Sequence, residues 1–250
     1  MYLTIQALVL RVTDYNDRDA LLTVLTKKYG KLTIKARGLR RKNSPLIAPC
    51  QLLAFGEFTL FEYRGMYTIN EAHSIELFQG LRRDLQKLSL GTYFAQVAEL
   101  ISQEDLPNPE LQSLTLNCLF ALSKLNTDEQ LVKAVFELRA ACLAGYTPDL
   151  YGCHVCGREN PDRFDLSAGR LECRGCRSAD SDGIRMPVSA GTIAAMNYIV
   201  NCELKRLFSF QIGSASLDQL SQLTESYLTT QLERGFSTLD FYKSLMIEQL

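Results

Sequence analysis

Ala20-Leu21-Leu22-Thr23-Val24-Leu25-Thr26, then Lys27-Lys28-Tyr29-Gly30-Lys31, then Leu32-Thr33-Ile34-Lys35-Ala36-Arg37 is the stretch that decides the fold of the N-terminal third. Its two flanks are rich in strand-forming Thr, Val, Leu and Ile, and a polar break containing a glycine separates them. Upstream, Leu3, Ile5, Ala7 and Val9 alternate with Thr4, Gln6, Leu8 and Leu10, an imperfect period of two expected of a strand buried on much of both faces. Downstream, Gln51 to Tyr63 and Tyr67 to Ser74 supply two more runs, set off by Gly38 to Pro49 and by Arg64-Gly65. Five short strands suit a small barrel, because closure removes exposed edges. A five-stranded OB-fold is the expected form, and an SH3-like barrel would share its periodicity.

Near Leu77 the period changes from 2 to 3.6, with Leu81, Leu85, Leu88, Tyr93, Val97, Leu100 and Ile101 on one side of helical segments that end before Pro107. Leu111 to Leu125 continues the pattern. Thr127-Asp128-Glu129-Gln130 and Ser216-Leu217-Asp218-Gln219 read as capping boxes, and Gly145 and Gly235 as stops. Residues 146–187 abandon helical spacing and look inserted. The predicted organisation is an α+β protein, with an OB-fold barrel domain over 1–78 and a helical domain over 79–250 that carries the inserted module.

Over 250 residues, 27 Lys/Arg against 28 Asp/Glu leave a net charge of −1, so no global field draws this chain to a polyanion. The distribution is uneven: residues 1–80 hold 11 basic against 7 acidic side chains, a net of +4. The longest uncharged stretch, Met186 to Cys202, contains Pro187, Ser189, Asn197 and Asn201, which makes it a poor membrane span. With no basic n-region or secretory h-region at the start, the expected location is cytoplasmic, without membrane association.

Cys153-His154-Val155-Cys156 and Cys173-Arg174-Gly175-Cys176 are two C-x2-C pairs separated by 16 residues. This is the spacing of a four-thiolate metal site, with two knuckle turns presenting sulfurs to one ion. One structural Zn2+ is preferred, since four protein ligands leave no open coordination position, although the same S4 cage accepts iron. The other four cysteines, Cys50, Cys118, Cys142 and Cys202, are scattered among apolar residues as free thiols usually are.

Lys27, Lys28, Lys31, Lys35, Arg37, Arg40, Arg41 and Lys42 place eight cations in 16 positions with no acid among them. Such a run solvates an edge strand or follows phosphates. Lys31, Thr33, Lys35 and Arg37 share a parity and so one strand face. Tyr15, Tyr29, Phe55, Tyr63 and Tyr67 lie close enough to act as stacking partners, with one or two of them expected to be exposed. Catalytic motifs are absent: Gly30-Lys31 lacks the rest of a P-loop, and the chain has two histidines, His73 and His154. Asp14, Asp17 and Asp19 would have to serve a metal-dependent nuclease, but first-loop acids are turn residues first.

The first strand and loop (Ala7-Leu8-Val9-Leu10-Arg11 through Asp14-Tyr15), Asp19-Ala20-Leu21-Leu22, Tyr29-Gly30-Lys31 and Lys35-Ala36-Arg37-Gly38 resemble the N-terminal pattern of the RecO family of bacterial recombination mediators. Gly145-Tyr146-Thr147-Pro148 leading to Cys153-His154-Val155-Cys156-Gly157 resembles that family's second signature. The resemblance spans nearly the whole chain. It implies binding of single- and double-stranded DNA and annealing of complementary strands. It also implies association with RecR and loading of RecA onto DNA coated by single-strand-binding protein, at the nucleoid during repair and without enzymatic chemistry. The acidic, apolar C-terminal tail of single-strand-binding protein would need a groove rimmed by cations, for which Lys133 and Arg139 are candidates and Arg82, Arg83, Lys205 and Arg206 serve equally well. An RNA-binding or transcription factor is the rival reading within the binding class.

Overall fold

The computed structural model describes residues 2–125, 127–176 and 183–247, so positions 177–182 of the predicted module lie outside the described residues. Five strands, β1 (Tyr2–Asp14), β2 (Ala20–Thr26), β3 (Gly30–Ala36), β4 (Phe55–Tyr63) and β5 (Met66–Glu76), close into a barrel in the order β1-β2-β3-β5-β4. This is the expected OB-like architecture. Closure depends on the length of β1, which pairs with β4 from Tyr2↔Phe61 to Leu8↔Phe55 and with β2 from Ala7↔Thr26 to Asp14↔Ala20. A register shift between Val9 and Arg11 bends the strand between these two partners. The parallel contact of β3 with β5, at Ile34↔Tyr67 and Lys35↔Thr68, seals the circle.

Ile5, Ala7, Val9, Leu22, Val24, Leu32, Ile34, Phe58 and Leu60 fill the barrel, with Leu46 and Cys50 joining them from the segment between β3 and β4. The apolar Gln51–Ala54 segment, expected to begin β4, turns instead. Leu53 is left-handed (φ 63°) and its N–H donates to Val9 O at 2.9 Å, while Val9 N–H donates to Ala54 O at 2.9 Å.

Among the described residues the helices are α1 (Gln79–Arg82), α2 (Leu85–Ile101), α3 (Pro109–Lys124), α4 (Glu129–Leu143), α5 (Ala190–Asn201), α6 (Ser214–Gln231) and α7 (Ser237–Ile247). None is long and apolar enough to cross a membrane. The chain forms two compact units, Met1–Asn126 with Phe236–Leu250, and Thr127–Gly235. In the first, the Asp84 carboxylate accepts from the Gln86 and Lys87 N–H groups to start α2, and Asn108 does the same for α3 through Leu111. Arg11 grips Glu99 on α2 through Nε at 3.0 and 3.1 Å, and the buried Gln112 of α3 donates to Leu25 O at 2.8 Å. Gly30 is left-handed (φ 62°), and a Cβ there would lie 2.6 Å from Gln103 O and closer still to Leu106 O. Only glycine lets the turn between β2 and β3 seat against this backbone.

The second unit holds α4, α5 and α6 with a three-stranded sheet, β6 (Arg163–Asp165), β7 (Arg170–Glu172) and β8 (Arg185–Pro187), in the order β7-β6-β8. Two of the expected caps move. Asp128, not Thr127, caps α4, accepting from Gln130 N–H at 2.8 Å. Helix α6 begins at Ser214, two residues before the expected box. Gln219 Oε1 accepts from Ser189 N–H (2.7 Å) and the Thr192 hydroxyl (2.7 Å), serving the start of α5. Gly145 follows α4 with φ 97°, as a helix stop should, whereas α6 ends through a left-handed Glu233 (φ 49°) ahead of Gly235.

Candidate nucleic-acid interface and metal centre

The four sulfurs of Cys153, Cys156, Cys173 and Cys176 all lie within 4.8 Å of one another, and Cys156 Sγ is 3.8 Å from Cys173 Sγ. A tetrahedron with metal–sulfur bonds of about 2.3 Å has edges of about 3.8 Å, so the set fits one ion. Each knuckle closes through its own backbone: Gly157 N–H donates to Cys153 O at 2.8 Å, and Cys176 N–H to Cys173 O at 2.9 Å. Burial pushes the Cys153 thiol up, but N–H groups of Cys156, Cys173 and Val155 outweigh it and bring it down to about 6. Burial and the neighbouring sulfurs push Cys173 up to about 12. Four thiolates this close repel, and a cation among them removes that repulsion.

On the barrel, the inward residues of β3 are Leu32, Ile34 and Ala36, so Lys35 points outward. Register then places a row of outward side chains across four strands: Tyr2 opposite Phe61, Phe61 opposite Thr68, and Thr68 beside Lys35. With Tyr15, Arg37 and Tyr63 these line a groove of about 370 Å³. Tyr2, Tyr63, Tyr15 and Phe61 are 63%, 60%, 55% and 40% exposed, the accessibility that a stacking platform requires. Lys35 Nζ lies 4.4 Å from the Tyr15 ring centre and the Arg64 guanidinium 5.2 Å from that of Tyr63, each a cation on an aromatic face. Of the five aromatics named from sequence, Tyr15 and Tyr63 are exposed, while Tyr29, Phe55 and Tyr67 are half-buried. Tyr2 and Phe61, paired at 5.4 Å between ring centres, were missed.

The eight cations are not one ribbon. Lys27 and Lys28 line a second recess of about 270 Å³ with Thr4, Gln6 and Tyr29. Lys31 Nζ donates to Glu99 O (3.0 Å) at the end of α2, which makes it a helix-terminus partner. Lys35 pairs with Asp19 at 3.3 Å and Arg40 with Asp14 at 2.6 Å. Lys27, Lys28, Arg37, Arg41 and Lys42 are exposed and make no ion pair among the described residues.

Asp14 and Asp19 are thus spent on different cations, and among the described residues only the four cysteines bring three or more potential metal ligands together. The nuclease reading of Asp14, Asp17 and Asp19 has no assembled site. The expectation for Lys133 and Arg139 also needs correction. Lys133 is 4% exposed and pairs with Glu137 (3.0 Å) and Glu225 (2.9 Å) between α4 and α6. Burial alone would pull its ammonium down, but the two carboxylates hold it above the ordinary lysine value. Arg139 donates to Val200 O (2.6 Å) and Ile199 O (3.3 Å), closing the end of α5. Lys133 therefore lies inside the fold, and the half-buried Arg139 serves two backbone carbonyls.

The N-terminal family model of recombination protein O matches residues 1–78, and the C-terminal model matches residues 82–240. A DNA repair protein RecO from Acetivibrio thermocellus is 33% identical over 247 residues, covering 98% of this chain and 97% of the relative. That from Alkaliphilus metalliredigens is 29% identical over 248 residues, covering 98% and 100%. The Bacillus pumilus protein is 27% identical over 228 residues, covering 91% and 88%. The barrel, the helical region, the cysteine cluster and these similarities over nearly the full length agree: the chain belongs to the RecO family of recombination and DNA repair proteins.

Proposed function

We propose that this chain binds single- and double-stranded DNA on the outer face of the barrel over residues 1–78, and promotes the pairing of complementary strands by reducing their charge repulsion. The observation that carries the reading is the groove that exposed Tyr2, Tyr15, Phe61 and Tyr63 line together with Lys35 and Arg37. Aromatic faces hold bases without regard to sequence, and Arg37 holds the backbone beside them, while Lys35 is kept by Asp19 against the Tyr15 ring. Lys27, Lys28, Arg41 and Lys42 extend the positive surface, while Lys31 acts from within the fold. Helical residues 79–250 carry the module 146–187, in which Cys153, Cys156, Cys173 and Cys176 hold one structural Zn2+. The redox-silent ion suits a site with four protein ligands.

In the same reading the protein acts at the nucleoid with RecR to load RecA onto DNA coated by single-strand-binding protein, and no covalent step is required of it. The relatives' name and the family models support the underlying role in recombination and DNA repair. The test is annealing of labelled complementary oligonucleotides with and without single-strand-binding protein. Acceleration over the uncatalysed rate is expected in both cases, with DNA preferred over a matched RNA competitor. Absence of acceleration would remove the annealing function, and preference for RNA would favour the rival binding class.

A further inference from the structure

Resting on the reading of the barrel groove as a DNA site, we propose that Asp14 is an affinity-setting residue at its margin: Asp14 adjoins the groove residue Tyr15, and its partner Arg40 lies three residues past the groove residue Arg37, so the carboxylate holds a guanidinium that a phosphate leaving the groove would otherwise meet. The loop between β1 and β2 is stitched to the basic loop after β3 at three places. Arg40 N–H donates to Arg18 O at 3.1 Å, Gly38 N–H donates to Asp19 Oδ1 at 2.9 Å, and Arg40 Nη1 meets Asp14 Oδ2 at 2.6 Å. The two acids at the ends of this loop differ in kind. Asp19 has a side chain only 18% exposed, pairs with Lys35, and accepts from both Gly38 N–H and Asn16 Nδ2 (3.1 Å). It is a fixed part of the loop. Asp14 is 68% exposed, its Arg40 partner is 46% exposed, and the side chain makes no other hydrogen bond among the described residues.

A guanidinium donates to carboxylate and phosphate oxygens in the same planar geometry, so a strand running from the groove past Arg40 competes with Asp14 for one cation. An exposed pair of this kind is weak, so the competition tunes binding without abolishing it. Arg37 and Arg41, which have no acidic partner among the described residues, hold the strand in either case. The protein therefore grips a strand less tightly than its cation count permits, as release of the paired product demands.

The experiment is a salt titration of a fluorescent single-stranded oligonucleotide on full-length wild type, Asp14→Asn, Arg40→Gln and the double variant, with Asp17→Asn as a control. Asp17 is exposed, lies in the same loop and pairs with no cation among the described residues, so its substitution removes a charge without freeing one. Asp14→Asn is expected to bind about two- to fivefold more tightly at low salt. Its salt slope should steepen by about 0.7, the value of one added phosphate contact on a single strand. Asp17→Asn should leave the slope unchanged, and the gain should vanish when Arg40 is also replaced. An equal gain in the Arg40→Gln background, or an equal slope change in Asp17→Asn, would overturn the assignment, since either shows only a change in net charge. An unchanged affinity in Asp14→Asn, with wild type binding normally, would also overturn it. A wild type that does not bind DNA would sink the underlying reading instead.

Discussion

Neutralising Arg37 and Arg41 together should flatten the salt dependence of DNA binding, while neutralising Arg40 alone should leave it nearly intact. Of the eight cations between Lys27 and Lys42, Lys31 is bound to Glu99 O, Lys35 to Asp19 and Arg40 to Asp14, which leaves five free to release counterions. At about 0.7 per phosphate on a single strand, five contacts give a slope of about −3.5, or a loss of about 130-fold in affinity between about 50 and 200 mM salt. Arg37→Gln with Arg41→Gln leaves three contacts, a slope of about −2.1 and a loss of about 18-fold over the same range. Arg40→Gln should stay near the wild-type slope, because its charge is already answered by Asp14 at 2.6 Å. Anisotropy titrations at four salt concentrations resolve these lines. Parallel plots for wild type and the double variant would refute the phosphate role of the segment. A slope change in Arg40→Gln as large as half that of the double variant would refute the division into free and committed cations.

Lys133→Met should destabilise the second unit by about 3 to 5 kcal/mol, because it strands the fully buried Glu137 carboxylate, and urea unfolding would measure it. Replacing Glu137 with Gln as well should recover part of that loss. Gly30→Ala should cost about 2 kcal/mol or more from the left-handed backbone and the clash with Gln103 O and Leu106 O, read as a lower urea midpoint. Metal analysis should find one zinc per chain. Cys176→Ser or a strong chelator should remove it and lower the thermal midpoint of the second unit, more readily at acid pH, where protons compete for the sulfurs.

The barrel was legible because its strands alternate locally, and the cysteine pairs because their spacing is itself the chemistry. What escaped was set by distant pairing. Tyr2 and Phe61 looked like ordinary strand aromatics until register placed them side by side across β1 and β4. Whether a lysine or arginine was free depended on which acid the β1–β2 loop brought to it, which no run of charges reveals. Lys133 did carry a readable signal. Leu131, Val132, Ala134, Val135 and Phe136 surround it on every side of the helix, and a helix apolar all round has no solvent face for a cation to occupy.

The alternation along β3 commits neighbouring residues to opposite duties, with Leu32, Ile34 and Ala36 in the barrel interior and Lys35 facing out. Deleting a single residue between Gly30 and Lys35 would swap these duties, driving an ammonium into a hydrocarbon interior and turning isoleucine toward water. Length variation among homologous chains should therefore be shut out of this strand and gather in the exposed turn from Arg41 to Pro45, ahead of the core residues Leu46 and Cys50, where an added residue moves no side chain across the barrel wall.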